Sequence, residues 1–116
     1  MGYKDTYNEW LASDVVDEAS KAELKNIADD EKEIEERFYR TLEFGTAGMR
    51  GVLGAGTNRI NIYNVRQASY GVSVYVNNNG AEAAAKGVLI GYDTRHFSRE
   101  FAQETAKVLA NEGIKV

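Results

Sequence analysis

Thr46 and Arg50 stand four residues apart in the most glycine-dense part of the chain, and between them they carry donors that a phosphate needs. A threonine offers a hydroxyl. An arginine offers a planar, permanently charged fork that binds two phosphate oxygens at once. Gly45, Ala47, Gly48 and Gly51 are small enough to let backbone N–H groups come close to a ligand, and five of the 11 glycines fall within residues 44–57. Such density costs backbone entropy, so it fits a place where the chain turns sharply or approaches a ligand closely. The residues alone leave two readings open: a phosphate or sugar-phosphate contact, or a tight turn that exposes an arginine. Two other phosphate motifs are excluded. No Lys-Ser or Lys-Thr pair follows the glycines, as a P-loop requires, and the glycines do not open a helix in the dinucleotide-binding manner.

Two further groups sit nearby in sequence. Gly91-Tyr92-Asp93-Thr94-Arg95-His96 follows an apolar run, where open α/β sheets hold ligands at the carboxyl ends of strands. Asp93 and Arg95 can pair and shape that rim, and structural support is the plainer reading. His96 fits a loop residue better than a catalyst. Thr57-Asn58-Arg59-Ile60-Asn61 either extends an anion surface through Asn58 and Arg59 or ties the glycine loop to the next helix; the tie is favoured. No nucleophile with an adjacent base is visible. No loop clusters aspartates for Mg²⁺. With no cysteine and one histidine, thiolate and His-rich metal sites are excluded, and no metal ligand is assigned.

The elements that position these residues are legible from periodicity and caps. Residues 1–43 read as a helical arm. A short helical pattern begins over 7–11. Ser20 and Glu23 form a capping box for a second helix, and Asp30 with Glu33 caps a third, whose Ile34, Phe38 and Leu42 lie on one stripe. Residues 44–116 read as an α/β region. Asn64 and Gln67 cap a helix with Val65, Ala68, Val72 and Val76 on its core face. Gly87 to Tyr92 reads as a strand buried on both faces. Ser98 caps a last helix carrying Phe101, Thr105, Val108 and Leu109, Gly113 ends it, and Ile114 to Val116 begins another strand. Alternating strands and helices imply an α/β fold with a mostly parallel sheet and flanking helices.

Charge divides the same way. Residues 1–43 hold 13 acidic and 6 basic residues, net −7; residues 44–116 hold 5 acidic and 8 basic residues, net +3. A mildly basic, glycine-rich remainder suits an anionic small molecule, and the overall charge of −4 argues against nucleic acid. The amino terminus lacks an apolar signal core, and no apolar run is long enough for a membrane span, so the cytoplasm is the expected compartment.

Phe44-Gly45-Thr46-Ala47-Gly48-Met49-Arg50-Gly51, with Gly54-Ala55-Gly56-Thr57-Asn58-Arg59-Ile60-Asn61-Ile62-Tyr63, closely resembles the opening of the α-phosphohexomutase (phosphoglucomutase/phosphomannomutase) family. Gly91-Tyr92-Asp93-Thr94-Arg95 resembles that family's second strand and loop. The acidic segment from Asp30 to Tyr39 resembles the longer bacterial branch, which includes relatives acting on pentose phosphates. The resemblance implies a four-domain enzyme around a cleft, in which a phosphoserine donates its phosphate to a hexose phosphate. A bisphosphate intermediate then reorients and returns the other phosphate. It also implies Mg²⁺ on an Asp-rich loop and a hexose 1,6-bisphosphate activator. Thr46 and Arg50 are implied to line the cleft near the phosphoserine.

The 116 residues contain no Thr-Ala-Ser-His-Asn-Pro-type serine loop, and no metal, sugar-recognition or last-domain phosphate loop of that family. The expectation is therefore an incomplete first domain, inactive by itself, with no cofactor bound. An open sheet edge is expected to pair with another copy. Two rival readings stand beside it: a stand-alone module that binds a sugar phosphate without turnover, and a structural piece whose acidic arm docks a partner.

Overall fold

A computed structural model of the chain describes residues 2–45 and 48–116. The chain forms two compact units, Met1–Asn61 and Ile62–Val116. The first unit takes in both the acidic arm and the glycine-rich stretch.

In the first unit, α1 (Tyr3–Ala12), α2 (Glu18–Asn26) and α3 (Glu31–Phe38) surround a small core. Asp30 caps α3 as expected, accepting from the Glu33 N–H at 3.2 Å. The cap of α2 differs: Asp17, not Ser20, accepts from the Ser20 N–H, because α2 begins at Glu18. That frees Glu23 for another task. Leu24, Ile34, Phe38 and Tyr7 are buried together, and the Phe38 ring makes T-shaped contacts with Tyr7 and Trp10 at centroid distances of 5.8 and 5.6 Å. The Tyr7 hydroxyl donates to the Leu24 carbonyl at 2.7 Å, so its polar end is satisfied inside the core. Ala55, from the glycine-rich stretch, completes this cluster at 3% exposure.

Beyond α3, β1 (Phe44–Gly45) pairs antiparallel with β2 (Gly48–Met49). Val52 and Ile60 then close a loop upon itself. The Ile60 N–H donates to Val52 O at 2.8 Å, the Gly54 N–H donates to Ile60 O at 3.1 Å, and Leu53 bridges Ile60.

In the second unit, α4 (Ile62–Asn78), α5 (Ala81–Lys86) and α6 (Ser98–Asn111) occur in order. The α4 face against α6 differs in part from the one expected: Val65 is buried and Ala68 and Val76 are half-buried, in line with the periodicity, but polar residues join them. Asn64, Val65, Ser69 and Ser73 are buried, whereas Val72 is exposed. Small serines let two helices approach closely, and the pairing is polar as well as apolar. The Ser69 hydroxyl donates to Thr105 Oγ1 at 3.0 Å, and Arg66 pairs with Glu104 at 2.9 Å. Asn64 lies inside the first turn of α4, not at its cap. Leu109 and Ile114 are fully or nearly fully buried. The last helix starts at Ser98, but Phe97, with φ of 64°, is the residue before it, and the Ser98 hydroxyl instead accepts from the Asp93 N–H.

The expected parallel sheet has no counterpart among the described residues, whose two named strands are antiparallel. The run after Gly87 is unassigned to helix or strand, and Leu89 is 98% exposed. A buried strand needs ladder partners on both edges and layers on both faces. Here the Val88 N–H donates to Lys115 O at 2.8 Å and the Lys115 N–H donates to Ala84 O at 3.1 Å, which is pairing at one end only.

Candidate functional site

Arg50 follows β2 directly, and its side chain is exposed. It makes no hydrogen bond or ion pair with another described residue. Arg37, Arg40, Arg59, Arg66 and Arg95 each have a partner, whereas Arg99, in the second unit, is exposed and unpaired among the described residues like Arg50. An uncommitted guanidinium on the surface keeps all its donors for a ligand. Thr46 and Ala47 lie outside the described residues. Gly45 faces Gly48 across the short antiparallel pair, next to Met49 and Arg50. Gly51 packs against the arm and the closed loop: a methyl placed there would lie 3.0 Å from Leu42 Cδ1 and 3.6 Å from Ile60 Cγ1.

Asn58 and Arg59 are buried at 6% exposure each and face the arm. The Asn58 N–H donates to Arg37 O at 2.8 Å, its side-chain amide donates to Glu36 O at 3.0 Å, and Arg40 Nε donates to its side-chain oxygen at 3.2 Å. Arg59 lies 3.7 Å from carboxylate oxygens of both Glu33 and Glu36, and donates to Asn58 O at 3.0 Å. The segment thus ties the glycine loop back to α3.

Glu23, expected in a capping box, and Arg37 complete this arrangement. One carboxylate oxygen of Glu23 accepts from the Ala55 N–H at 2.7 Å and from the Arg37 guanidinium. Arg37 also donates to Ala55 O at 3.1 Å and to Glu33 at 2.9 Å. Burial alone raises the Glu23 carboxyl pKa; the Ala55 N–H and the Arg37 charge outweigh it and hold the group below the ordinary glutamate value. For Arg37, burial opposes the charge, but the Glu33 and Glu23 carboxylates reverse that and raise it. The Glu33–Arg37 spacing of four on one helix was a visible signal. Nothing local points from Glu23 to Ala55, 32 positions away.

In the second unit, Asp93 and Arg95 do pair. The Arg95 backbone N–H donates to Asp93 at 3.0 Å and its Nε at 2.8 Å, which holds the Asp93 carboxyl below its ordinary value. Both are exposed, and they line a surface concavity with His96, Phe97, Arg99 and Glu100. His96 stacks at a tilt on Phe97, with centroids 4.1 Å apart. Among the described residues, no group of three or more His, Cys, Asp or Glu side chains could hold a metal ion, so they do not fit the Mg²⁺ site that the resemblance implies. No helix among them is long and apolar enough to cross a membrane.

Residues 41–116 match the family model described as phosphoglucomutase/phosphomannomutase, alpha/beta/alpha domain I. The chain belongs to that family. A phosphoglucomutase of Staphylococcus epidermidis is 40% identical over 109 residues, 94% of this chain and 19% of the relative. A phosphoglucomutase of Staphylococcus aureus is 38% identical over 103 residues, 87% of this chain and 18% of the relative. The chain therefore spans about a fifth of the length of these curated relatives. No solved structure matches it. The match to the phosphoglucomutase/phosphomannomutase domain begins before β1 and takes in the glycine-rich stretch, Arg50 and the Asp93–Arg95 loop. Both relatives also extend into the arm, since each covers more of the chain than residues 41–116.

Proposed function

We propose that this chain supplies the phosphate-contacting loop of a phosphohexomutase, an isomerase that moves a phosphoryl group between the 1 and 6 positions of a hexose phosphate. In this reading the reaction runs through a phosphoserine and a hexose 1,6-bisphosphate. Arg50 holds a pair of phosphate oxygens while the sugar is oriented, and Thr46 adds a hydroxyl. The serine loop of that chemistry is not among the 116 residues, so the chain alone is proposed to bind without turning over. No step is assigned to Mg²⁺ here, because the described residues do not fit it. The alpha/beta/alpha description of the family domain also supports assigning residues 87–92 and 114–116 to sheet strands.

The observation that carries this reading is the state of Arg50: exposed, unpaired among the described residues, and set in the glycine-rich stretch beside a loop anchored by part-buried hydrogen bonds. Arg99 is exposed and unpaired as well, but Arg50 alone of the two stands in the glycine-rich stretch, where small residues let backbone donors approach an oxyanion beside the guanidinium. The test is a titration of the isotopically labelled chain with glucose 1-phosphate, followed by nuclear magnetic resonance. Shifts centred on residues 48–51 are expected, with a loss of at least tenfold in affinity for Arg50→Ala, in line with about 1.5–3 kcal/mol for a charged hydrogen bond. Shifts confined to residues 92–100, or unchanged affinity in Arg50→Ala, refute the assignment. Glucose 1-phosphate with Mg²⁺ and glucose 1,6-bisphosphate is expected to give no turnover.

A further inference from the structure

We propose that Glu23 and Arg37, on the acidic arm, are positioning residues that pre-organise the loop beside Arg50 for phosphate. This inference rests on the reading of Arg50 as a phosphate contact. The arm otherwise reads as packing alone, yet its charged groups are aimed at the loop. Glu23 takes the Ala55 N–H, Arg37 takes the Ala55 carbonyl, and the Arg37 carbonyl takes the Asn58 N–H. Thr57 is held too: its hydroxyl donates to Arg40 O at 2.7 Å, and its carbonyl accepts from the Leu42 N–H at 2.8 Å.

The restraint reaches Arg50 through a short path. Asn61 donates to Gly54 O and Gly56 O, both at 2.9 Å, which fixes the curvature of the loop from inside. Val52 and Ile60 close its mouth. Gly51 then lies against Leu42 and Ile60, so the residue next to Arg50 has little room to move. A loop rich in glycine loses much freedom when it orders on a ligand, and a loop already held loses less. Glu23 and Arg37 thereby take over at folding an entropy loss that would otherwise weaken phosphate binding.

The experiment compares Glu23→Ala, Glu23→Gln and Leu24→Ala with the unaltered chain by glucose 1-phosphate titration and amide hydrogen exchange. Leu24 is fully buried beside Glu23 and makes none of the loop hydrogen bonds, so its variant removes apolar packing from the cluster that includes Ala55 while leaving every loop hydrogen-bonding group in place. Glu23→Ala is expected to speed exchange at Ala55 and Asn58 and to weaken glucose 1-phosphate about tenfold. That factor is what a lost charge-assisted bond supports. Glu23→Gln keeps an oxygen for the Ala55 N–H and is expected to stay within about twofold of the unaltered chain, on the same hydrogen-bond scale. Unaltered affinity in Glu23→Ala, or equal weakening in Leu24→Ala, overturns the proposal. If the unaltered chain binds no glucose 1-phosphate, the reading of Arg50 falls instead. Exchange then decides the restraint alone: faster exchange across 48–60 in Glu23→Ala but not in Leu24→Ala upholds it, and any other pattern overturns it.

Discussion

Replacing Gly56 by alanine tests how tightly the glycine-rich loop is seated on the arm. Gly56 has φ of +132°, where an L side chain is strained. A methyl there would also lie 2.8 Å from the Arg37 carbonyl oxygen and 2.9 Å from Arg37 Cβ. The first of these is backbone, held by the Asn58 N–H, so it cannot swing aside as a side-chain tip would. Strain contributes about 1–2 kcal/mol. Forcing atoms into a packed contact contributes about 1–3 kcal/mol. Together they predict a loss of about 2–5 kcal/mol, a large part of the ~5–15 kcal/mol typical of a domain. Gly48 provides the control, since φ is +104° but nothing lies within 4 Å of its added methyl. Gly48→Ala is therefore expected to cost only the strain, about 1–2 kcal/mol. The single tryptophan, Trp10, packs on Phe38 in the same unit and reports its unfolding by fluorescence in urea. A Gly56→Ala chain as stable as Gly48→Ala would falsify the claim that the loop backbone is pressed against α3.

Other outcomes follow from the same contacts. Leu24→Ala removes a side chain with no exposure and is expected to cost about 2–5 kcal/mol in the same urea assay. The Glu23 carboxyl is held below its ordinary value, so its contribution is complete above the unfolded-state value of about 4.3 and fades as pH falls through the lower folded value. The stability gap between the unaltered chain and Glu23→Gln is thus expected to narrow between pH 6 and pH 3; a gap that stays constant contradicts the Glu23 pairing. Leu89 and Tyr75 are 98% and 72% exposed, and apolar surface of this kind favours association. Sedimentation velocity is expected to show concentration-dependent self-association that Leu89→Asp reduces, and a strict monomer at every concentration rules it out.

Local rules explain what could be read without coordinates. A carboxylate three residues ahead of a helix turn caps it, which made Asp30 legible; the stripe of Ile34 and Phe38 announced a buried face. Glycine spacing around Arg50 was specific enough to bring out the family. Long-range choices were not visible. Ser20 and Asp17 are both competent caps, and only the actual start of α2 selects Asp17 and releases Glu23 to reach Ala55. Val72 and Ser73 are neighbours on α4, and apolar periodicity favours the valine. Close approach of α6 buries the serine instead, because helix packing depends on size as well as on hydrophobicity. Arg59 resembles Arg50 in composition and surroundings along the chain, yet one is buried between two glutamates and the other is exposed. The sequence alone determined which residue types were on offer for an anion. Only the tertiary structure decided which of Arg50 and Arg59 stays free, because the burial and ion pairing of Arg59 depend on partners 20 or more positions away.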